Sequence, residues 1–163
     1  MSVNRQRPHV LVLPEDKANR QLANGFWLQI DPSRQRQMQI LGVAGGWNEV
    51  LTLFISVHVV EMDRCPTRFM VLLIDFDGYE ERLQRAQDSI PNHLTERVFV
   101  LGTLTEPEAL KPDLGSYEEI GSKLAADCRE EADLTWDHPL LQHNAGEIAR
   151  LREEVRPILF SAV

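Results

Sequence analysis

The feature that most constrains the fold is an unbroken apolar run at 69–74 (FMVLLI), which leads directly into Asp75-Phe76-Asp77-Gly78. Apolar residues without alternation predict a strand that is covered on both faces, which is typical of a parallel sheet with helices on either side. The run is much shorter than the roughly 20 apolar residues that cross a bilayer, so we expect no membrane span.

The rest of the chain alternates between strand and helix patterns. We predict strands at 9–13, 38–43, 69–74 and 97–101, and helices at 17–28, 47–61, 80–90, 116–132 and 145–156. A strand at 55–60 is an alternative within the second helix, but the length of that apolar segment and the two glycines before it favour a helix. Asn144, followed three residues later by Glu147, predicts a capped start for the last helix, and Pro157 predicts its end.

This alternation predicts one α/β domain over residues 1–163. A mainly parallel, Rossmann-like sheet flanked by helices occupies about 9–110, and a helical carboxyl-terminal extension runs from about 111 to 163. In sheets of this kind ligands gather at the carboxyl ends of the strands, so functional residues are expected there.

The distribution of charge limits the surfaces that can bind nucleic acid. The net charge of −8 argues against a broad nucleic-acid-coating surface. Residues 1–40 nevertheless carry a balance of +3, and the remaining 123 residues carry one of −11. Either the acidic part is a solvated helical face, or a basic lip lies beside an acidic metal-binding centre, and composition does not choose between them.

Cysteine content and the first residues indicate the compartment. Cys65 and Cys128 cannot form a disulfide framework and have no partners at zinc-finger spacing. The amino-terminal segment MSVNRQRPHV lacks the apolar core of a secretory signal. We therefore expect a cytoplasmic protein with free thiols.

Four acidic residues stand at or just beyond the predicted strand ends: Glu15, Asp75, Asp77 and Glu106. In an extended segment Asp75 and Asp77 point the same way and can share a cation. Carboxylates this close to a sheet interior are costly to ionise unless cations neutralise them. Hard oxygen ligands favour Mg²⁺ or Mn²⁺, so the set predicts a phosphoryl-transfer centre.

The order of these motifs resembles the Toprim domain of primases, topoisomerases, small recombination proteins and nucleases related to the overcoming-lysogenization-defect family. The resemblance rests on a strand followed by Glu15, a glycine turn at 45–46 and a strand followed by Asp75 and Asp77, and it covers about residues 9–110. Asp16 and Asn19 depart from the family pattern, which often has a glycine after the glutamate and an acid four residues on.

The resemblance implies a site and a chemistry. Glu15 would be a metal ligand or general acid/base, and Asp75 and Asp77 would be the metal-binding pair and catalytic partners. Glu106 would match an additional acid of some Toprim nucleases. Gly45 and Gly46 would let the backbone approach a phosphate, and Lys17 and Arg20 are candidate phosphate contacts.

The implied activity is a nuclease-type hydrolase that binds DNA or other nucleic acid and uses Mg²⁺ or Mn²⁺. A role in defence or repair, a homodimer and a basic partner protein docked on the acidic carboxyl-terminal third are further expectations.

Two other functions remain open from the sequence. The segment LIDFDG resembles the first motif of haloacid-dehalogenase-type phosphatases, in which Asp75 would be the nucleophile and Asp77 an acid, although Tyr79 departs from that motif. A non-catalytic Toprim-like interaction module is the other alternative, with Trp136, His138, His143 and Asn144 on an interaction surface or a distal wall of the site.

Overall fold

Four parallel strands form the sheet that the apolar runs predict. The computed structural model describes residues 2–160 and contains β1 (His9–Pro14), β2 (Met38–Ile40), β3 (Arg68–Leu73) and β4 (Val98–Leu101). Their order in the sheet is β2-β1-β3-β4, and every neighbouring pair is parallel. The central strands β1 and β3 pair side by side, with Leu13 opposite Leu72. The predicted α/β class with a parallel sheet is confirmed.

Helices cover both faces of this sheet. They are α1 (Lys17–Trp27), α2 (Trp47–Leu53), α3 (Val59–Arg64), α4 (Glu80–Asp88), α5 (Lys111–Leu114), α6 (Tyr117–Glu130), α7 (Ala145–Glu154) and α8 (Arg156–Leu159). Val71 of β3 packs in a core with α1, α6 and α7, whereas Met70 and Leu72 pack in a second core with α2, α3 and α4. Both faces of β3 are therefore covered, which explains why its apolar run does not alternate. Within residues 2–160, no helix has the length and apolar character needed to cross a membrane.

The carboxyl-terminal helices are attached to the sheet layer through a close helix pair. A Cβ atom on Gly25 of α1 would lie 2.1 Å from the carbonyl oxygen of Glu118, and one on Gly121 of α6 would lie 2.0 Å from that of Leu22. The two backbones approach this closely because neither glycine has a side chain. The predicted helical extension therefore packs directly on the first helix of the chain.

Two predicted elements differ from the structure in detail. β2 ends at Ile40 instead of at residue 43. Beyond it the chain still follows β1 irregularly, since the Ala44 N–H donates to the carbonyl oxygen of Pro14. The predicted helix at 47–61 is present, with α2 and α3 joined by a π-helical turn at Phe54–His58, so the alternative of a strand at 55–60 is wrong.

The predicted side-chain cap of the last helix is also wrong. Asn144 precedes α7 but makes no side-chain cap; its Oδ1 accepts the Gly102 N–H at 3.2 Å and its Nδ2 donates to the Gly102 carbonyl oxygen at 2.9 Å. Glu147 Oε2 accepts the Val100 N–H at 2.8 Å. β4 is a sheet edge, and its outward backbone groups need partners that Asn144 and Glu147 supply.

Candidate metal centre

The carboxyl ends of β1 and β3 bring Glu15 and Asp75 together. The Glu15 N–H donates to the Leu73 carbonyl oxygen at 2.9 Å, which continues the pairing of β1 with β3. The Asp75 N–H in turn donates to Glu15 Oε2 at 2.6 Å. The backbone of one strand end therefore holds the carboxylate of the other, as expected for neighbouring parallel strands.

Asp16 completes a cluster of three carboxylates with Glu15 and Asp75. Each of the three offers an oxygen, and these oxygens lie within 4.8 Å of one another. Asp16 is also the N-cap of α1, where its Oδ1 accepts the Asn19 backbone N–H at 2.9 Å. Asp16 thus replaces Asp77 as the third acid of the site. We call Glu15, Asp16 and Asp75 the carboxylate cluster.

Asn19 connects two members of the carboxylate cluster. Its Nδ2 donates to Asp75 Oδ1 at 2.8 Å and to Asp16 Oδ1 at 3.0 Å, and its side chain is fully buried. Its own Oδ1 is buried and accepts no hydrogen bond. The residue that departs from the Toprim pattern therefore positions two acids and leaves one amide oxygen without a donor.

Asp77 lies outside the carboxylate cluster. Its φ of +49° places it in a left-handed turn, so the assumption of an extended segment from Asp75 to Asp77 is wrong. The Asp77 N–H donates to the Thr105 carbonyl oxygen, and its Oδ2 accepts from Arg82 Nη1 at 2.8 Å. Because Arg82 already pairs with it, Asp77 acts as the partner of a cation and does not join Asp75 in a shared site.

Glu106 is separated from the cluster by the sheet order. It is an exposed residue at the start of a single turn of 3₁₀ helix, Pro107–Leu110, which follows β4. β3 lies between β4 and β1, so the acid that follows β4 stands on the far side of β3 from Glu15. The structure does not bring Glu106 into the carboxylate cluster.

The glycine turn does lie next to Glu15. The Gly45 N–H donates to the Glu15 carbonyl oxygen at 2.9 Å. Gly45 and Gly46 have φ values of +99° and +155°, which favour glycine. A Cβ on Gly45 would meet no heavy atom within 4 Å, so the backbone here borders open space beside the carboxylate cluster.

Lys17 and Arg20 are exposed on α1 and line a polar groove between α1 and β2. The groove has a volume of about 440 Å³, and Gln21, Asn24 and Gln39 also line it. Since Lys17 directly follows Asp16, the groove starts beside the carboxylate cluster. The two predicted phosphate contacts therefore share one surface next to the acids.

Burial shifts the pKa of two members of the cluster, Asp75 and Glu15. Burial raises the pKa of Asp75 to about 8; the negative charges of Asp16 and Glu15 add to this rise, and the hydrogen bond from Asn19 opposes it. Burial also raises the pKa of Glu15, while the hydrogen bond from the Asp75 N–H opposes this shift. Within residues 2–160, no salt bridge neutralises a member of the cluster.

The donor set fits a hard divalent cation. Three carboxylates that are crowded and not paired with a cationic side chain are the ligand type that Mg²⁺ and Mn²⁺ prefer. Glu15, Asp16 and Asp75 would hold the ion.

Arg82 has a structural role that was not predicted from the sequence. Its Nη1 donates to the Asp75 carbonyl oxygen at 3.1 Å, and its guanidinium lies 4.9 Å from the ring centre of Trp47. The feature of the sequence that could have indicated this role is an arginine five residues after Asp77, on the helix that follows β3. Arg82 braces the 75–77 turn from outside the carboxylate cluster.

The segment around Trp136 and His143 lies partly at the surface, with Asp137 and Pro139 exposed, but Trp136 and Asn144 are buried and His138 and His143 are half-buried. Trp136 is buried, and the ring of His143 packs edge-on against Phe76, with ring centres 5.2 Å apart. The expected interaction surface is therefore not formed by these two side chains. His143 instead contacts the residue that follows Asp75.

The sequence matches no protein-family model and no curated protein. The resemblance to the Toprim domain, which rests on Glu15, the glycine turn at 45–46, Asp75 and Asp77, therefore stays a prediction.

Proposed function

We propose that the protein is a divalent-metal-dependent phosphodiesterase that cleaves or transfers phosphodiester bonds of nucleic acid. The observation that carries this proposal is the carboxylate cluster, in which three acids from two strand ends lie within 4.8 Å of one another. Mg²⁺ or Mn²⁺ would bind Glu15, Asp16 and Asp75. When bound, the cation would stabilise the charge on the attacking and leaving oxygens.

The electrostatics support binding of a cation over a purely structural role. Burial and the neighbouring acids raise the pKa of Asp75 to about 8, so its ionised form is unfavourable in the free protein. A divalent cation reverses this preference because it is the largest local charge. If the three acids had a purely structural role, we would expect a cationic side chain to pair with them, as Arg82 pairs with Asp77.

Glu15 is the best placed proton acceptor. One of its oxygens, Oε2, is held by the Asp75 N–H, and its pKa is raised mainly by burial. A carboxylate that is fixed and more basic than usual can take a proton from an attacking water. Asp75 and Asp16, which Asn19 positions, would share the metal with Glu15.

The surroundings of the cluster are suited to phosphate. The N-terminus of α1, capped by Asp16, carries a partial positive charge that favours anions. Lys17 and Arg20 extend this favourable region along the groove, and the Gly45 backbone lies beside Glu15, to whose carbonyl oxygen its N–H donates. These features agree with the excess of basic residues in the first 40 positions.

The test is a nuclease assay on plasmid and single-stranded DNA and RNA with Mg²⁺ or Mn²⁺. Glu15→Gln and Asp75→Asn should each lower the rate at least about 100-fold, because each removes a ligand or base. Asp77→Asn is the matched control, since Asp77 is also an acid after β3 but lies outside the cluster; its rate should stay within about threefold. Equal rates for all four proteins would refute the proposal.

The same preparation distinguishes the phosphatase alternative. A haloacid-dehalogenase-type enzyme would release phosphate from small phosphate esters and be inhibited by phosphate-mimicking fluorides. We expect neither result, because the carboxylate of Asp77 is paired with Arg82 and is therefore not available as the acid that this mechanism needs beside Asp75. Fluoride-sensitive release of phosphate would favour the phosphatase.

A further inference from the structure

An apolar cavity of about 90 Å³ lies between the sheet and the helices of the first core. Its walls include Val12, Val71 and Leu101 from the strands and Ala23, Leu124 and Leu151 from α1, α6 and α7. No member of the carboxylate cluster lines it, so the cavity is separate from the candidate metal centre.

The cavity is unusual for a protein interior. Cores are packed to the density of organic crystals, and voids larger than one water molecule are few. A stable water inside needs two to four polar partners, and the side chains around this cavity are apolar apart from the Thr103 hydroxyl and the Trp136 indole. Water is therefore a poor occupant.

The lining also defines what can occupy the cavity. A charged or strongly polar group would lose its hydration without gaining partners there. Phe26, Trp136 and the flexible thioether of Met38 offer apolar contacts. An apolar cavity of about 150 Å³ takes up benzene or xenon, and the present cavity of about 90 Å³ is smaller, so it suits a molecule the size of xenon better than an aromatic ring. We propose that this cavity is a binding site for an uncharged apolar molecule smaller than benzene.

The first experiment uses the full chain with cyclopropane and xenon as probes and acetate as the charged control. Cyclopropane should raise Tm saturably by about 1–3 °C, because it binds only the folded state. Acetate at the same concentration should give no rise. Xenon should shift the NMR signals of methyl groups in Val71 and Leu101, and it should leave those of Val100, in the second core, unchanged.

Two matched variants locate the effect. Ala23→Leu fills the cavity with side-chain carbon and should abolish both the cyclopropane-induced rise in Tm and the xenon shifts. Ala86→Leu makes the same change at a buried helical alanine of the second core, and should lower Tm while keeping the response to cyclopropane. If either variant fails to fold, the xenon shifts of the wild-type protein still decide. No xenon shift at Val71 or Leu101, or a cyclopropane response that persists in Ala23→Leu, would overturn the proposal.

Discussion

Replacement of Asp75 by asparagine should stabilise the metal-free protein above pH 4. The pKa of Asp75 is raised from 3.8 to about 8, mainly by burial, so the folded state favours the protonated carboxyl. That stabilisation is complete below the unfolded-state pKa of about 4, and it is lost as the pH rises through about 8. Asparagine keeps the shape and the neutral charge at every pH. Asn19 Nδ2 can still donate to its oxygen.

The expected size follows from the shift. About four pKa units at about 1.4 kcal/mol each set an upper limit of about 6 kcal/mol for ionising this carboxyl in the folded protein. Glu15 and Asp16 are only half-buried, so solvent screens part of this cost. We therefore expect the unfolding free energy of Asp75→Asn to exceed that of the wild type by about 2–3 kcal/mol at pH 8.5. This difference corresponds to a rise of about 5–10 °C in Tm.

The assay is urea unfolding in EDTA at pH 4, 5.5, 7 and 8.5 for the wild type and Asp75→Asn. The difference in unfolding free energy should be small at pH 4 and grow up to pH 8.5. Asp77→Asn is the control and should be no more stable than the wild type, because Asp77 is half-exposed and the change removes its pairing with Arg82. Addition of Mn²⁺ should stabilise the wild type and leave Asp75→Asn nearly unchanged. An Asp75→Asn protein no more stable than the wild type at pH 8.5 would refute the reasoning.

Two further predictions concern the fold. Asn144→Ala should lower the unfolding free energy by about 2–4 kcal/mol in urea denaturation, because the N–H and the carbonyl oxygen of Gly102 both lose their hydrogen-bond partner. The control Asn92→Ala, on the short turn before β4, should change the unfolding free energy by less than about 0.5 kcal/mol. Equal effects of the two substitutions would contradict the bracing role of Asn144. Gly25→Ala should lower Tm by at least about 5 °C, because the new Cβ would stand 2.1 Å from the Glu118 carbonyl oxygen. Gly146→Ala, whose Cβ would meet nothing within 4 Å, should leave Tm within about 2 °C, and a harmless Gly25→Ala would show that α1 and α6 are not in close contact.

The local sequence pattern was sufficient to predict the layered fold. The apolar run at 69–74 has no alternation because both faces of β3 are covered, and this one property implies parallel strands with helices on either side. Parallel pairing then places Glu15 and Asp75 at the same end of the sheet, where the carboxyl ends of β1 and β3 lie. These conclusions needed no knowledge of side-chain packing, because they depend on periodicity and on strand direction.

The membership of the cluster depended on contacts between distant segments. Asp77 leaves the cluster because its backbone binds Thr105 in a left-handed turn and its carboxylate meets Arg82. Asp16 joins it through Asn19, a residue that sequence analysis treated as a departure from the family pattern. Asn144 is likewise a residue type that often caps helices, but its side chain binds the backbone of Gly102, which follows β4. A short polar side chain finds its partner among groups brought near by folding, so its role cannot be read from its neighbours along the chain.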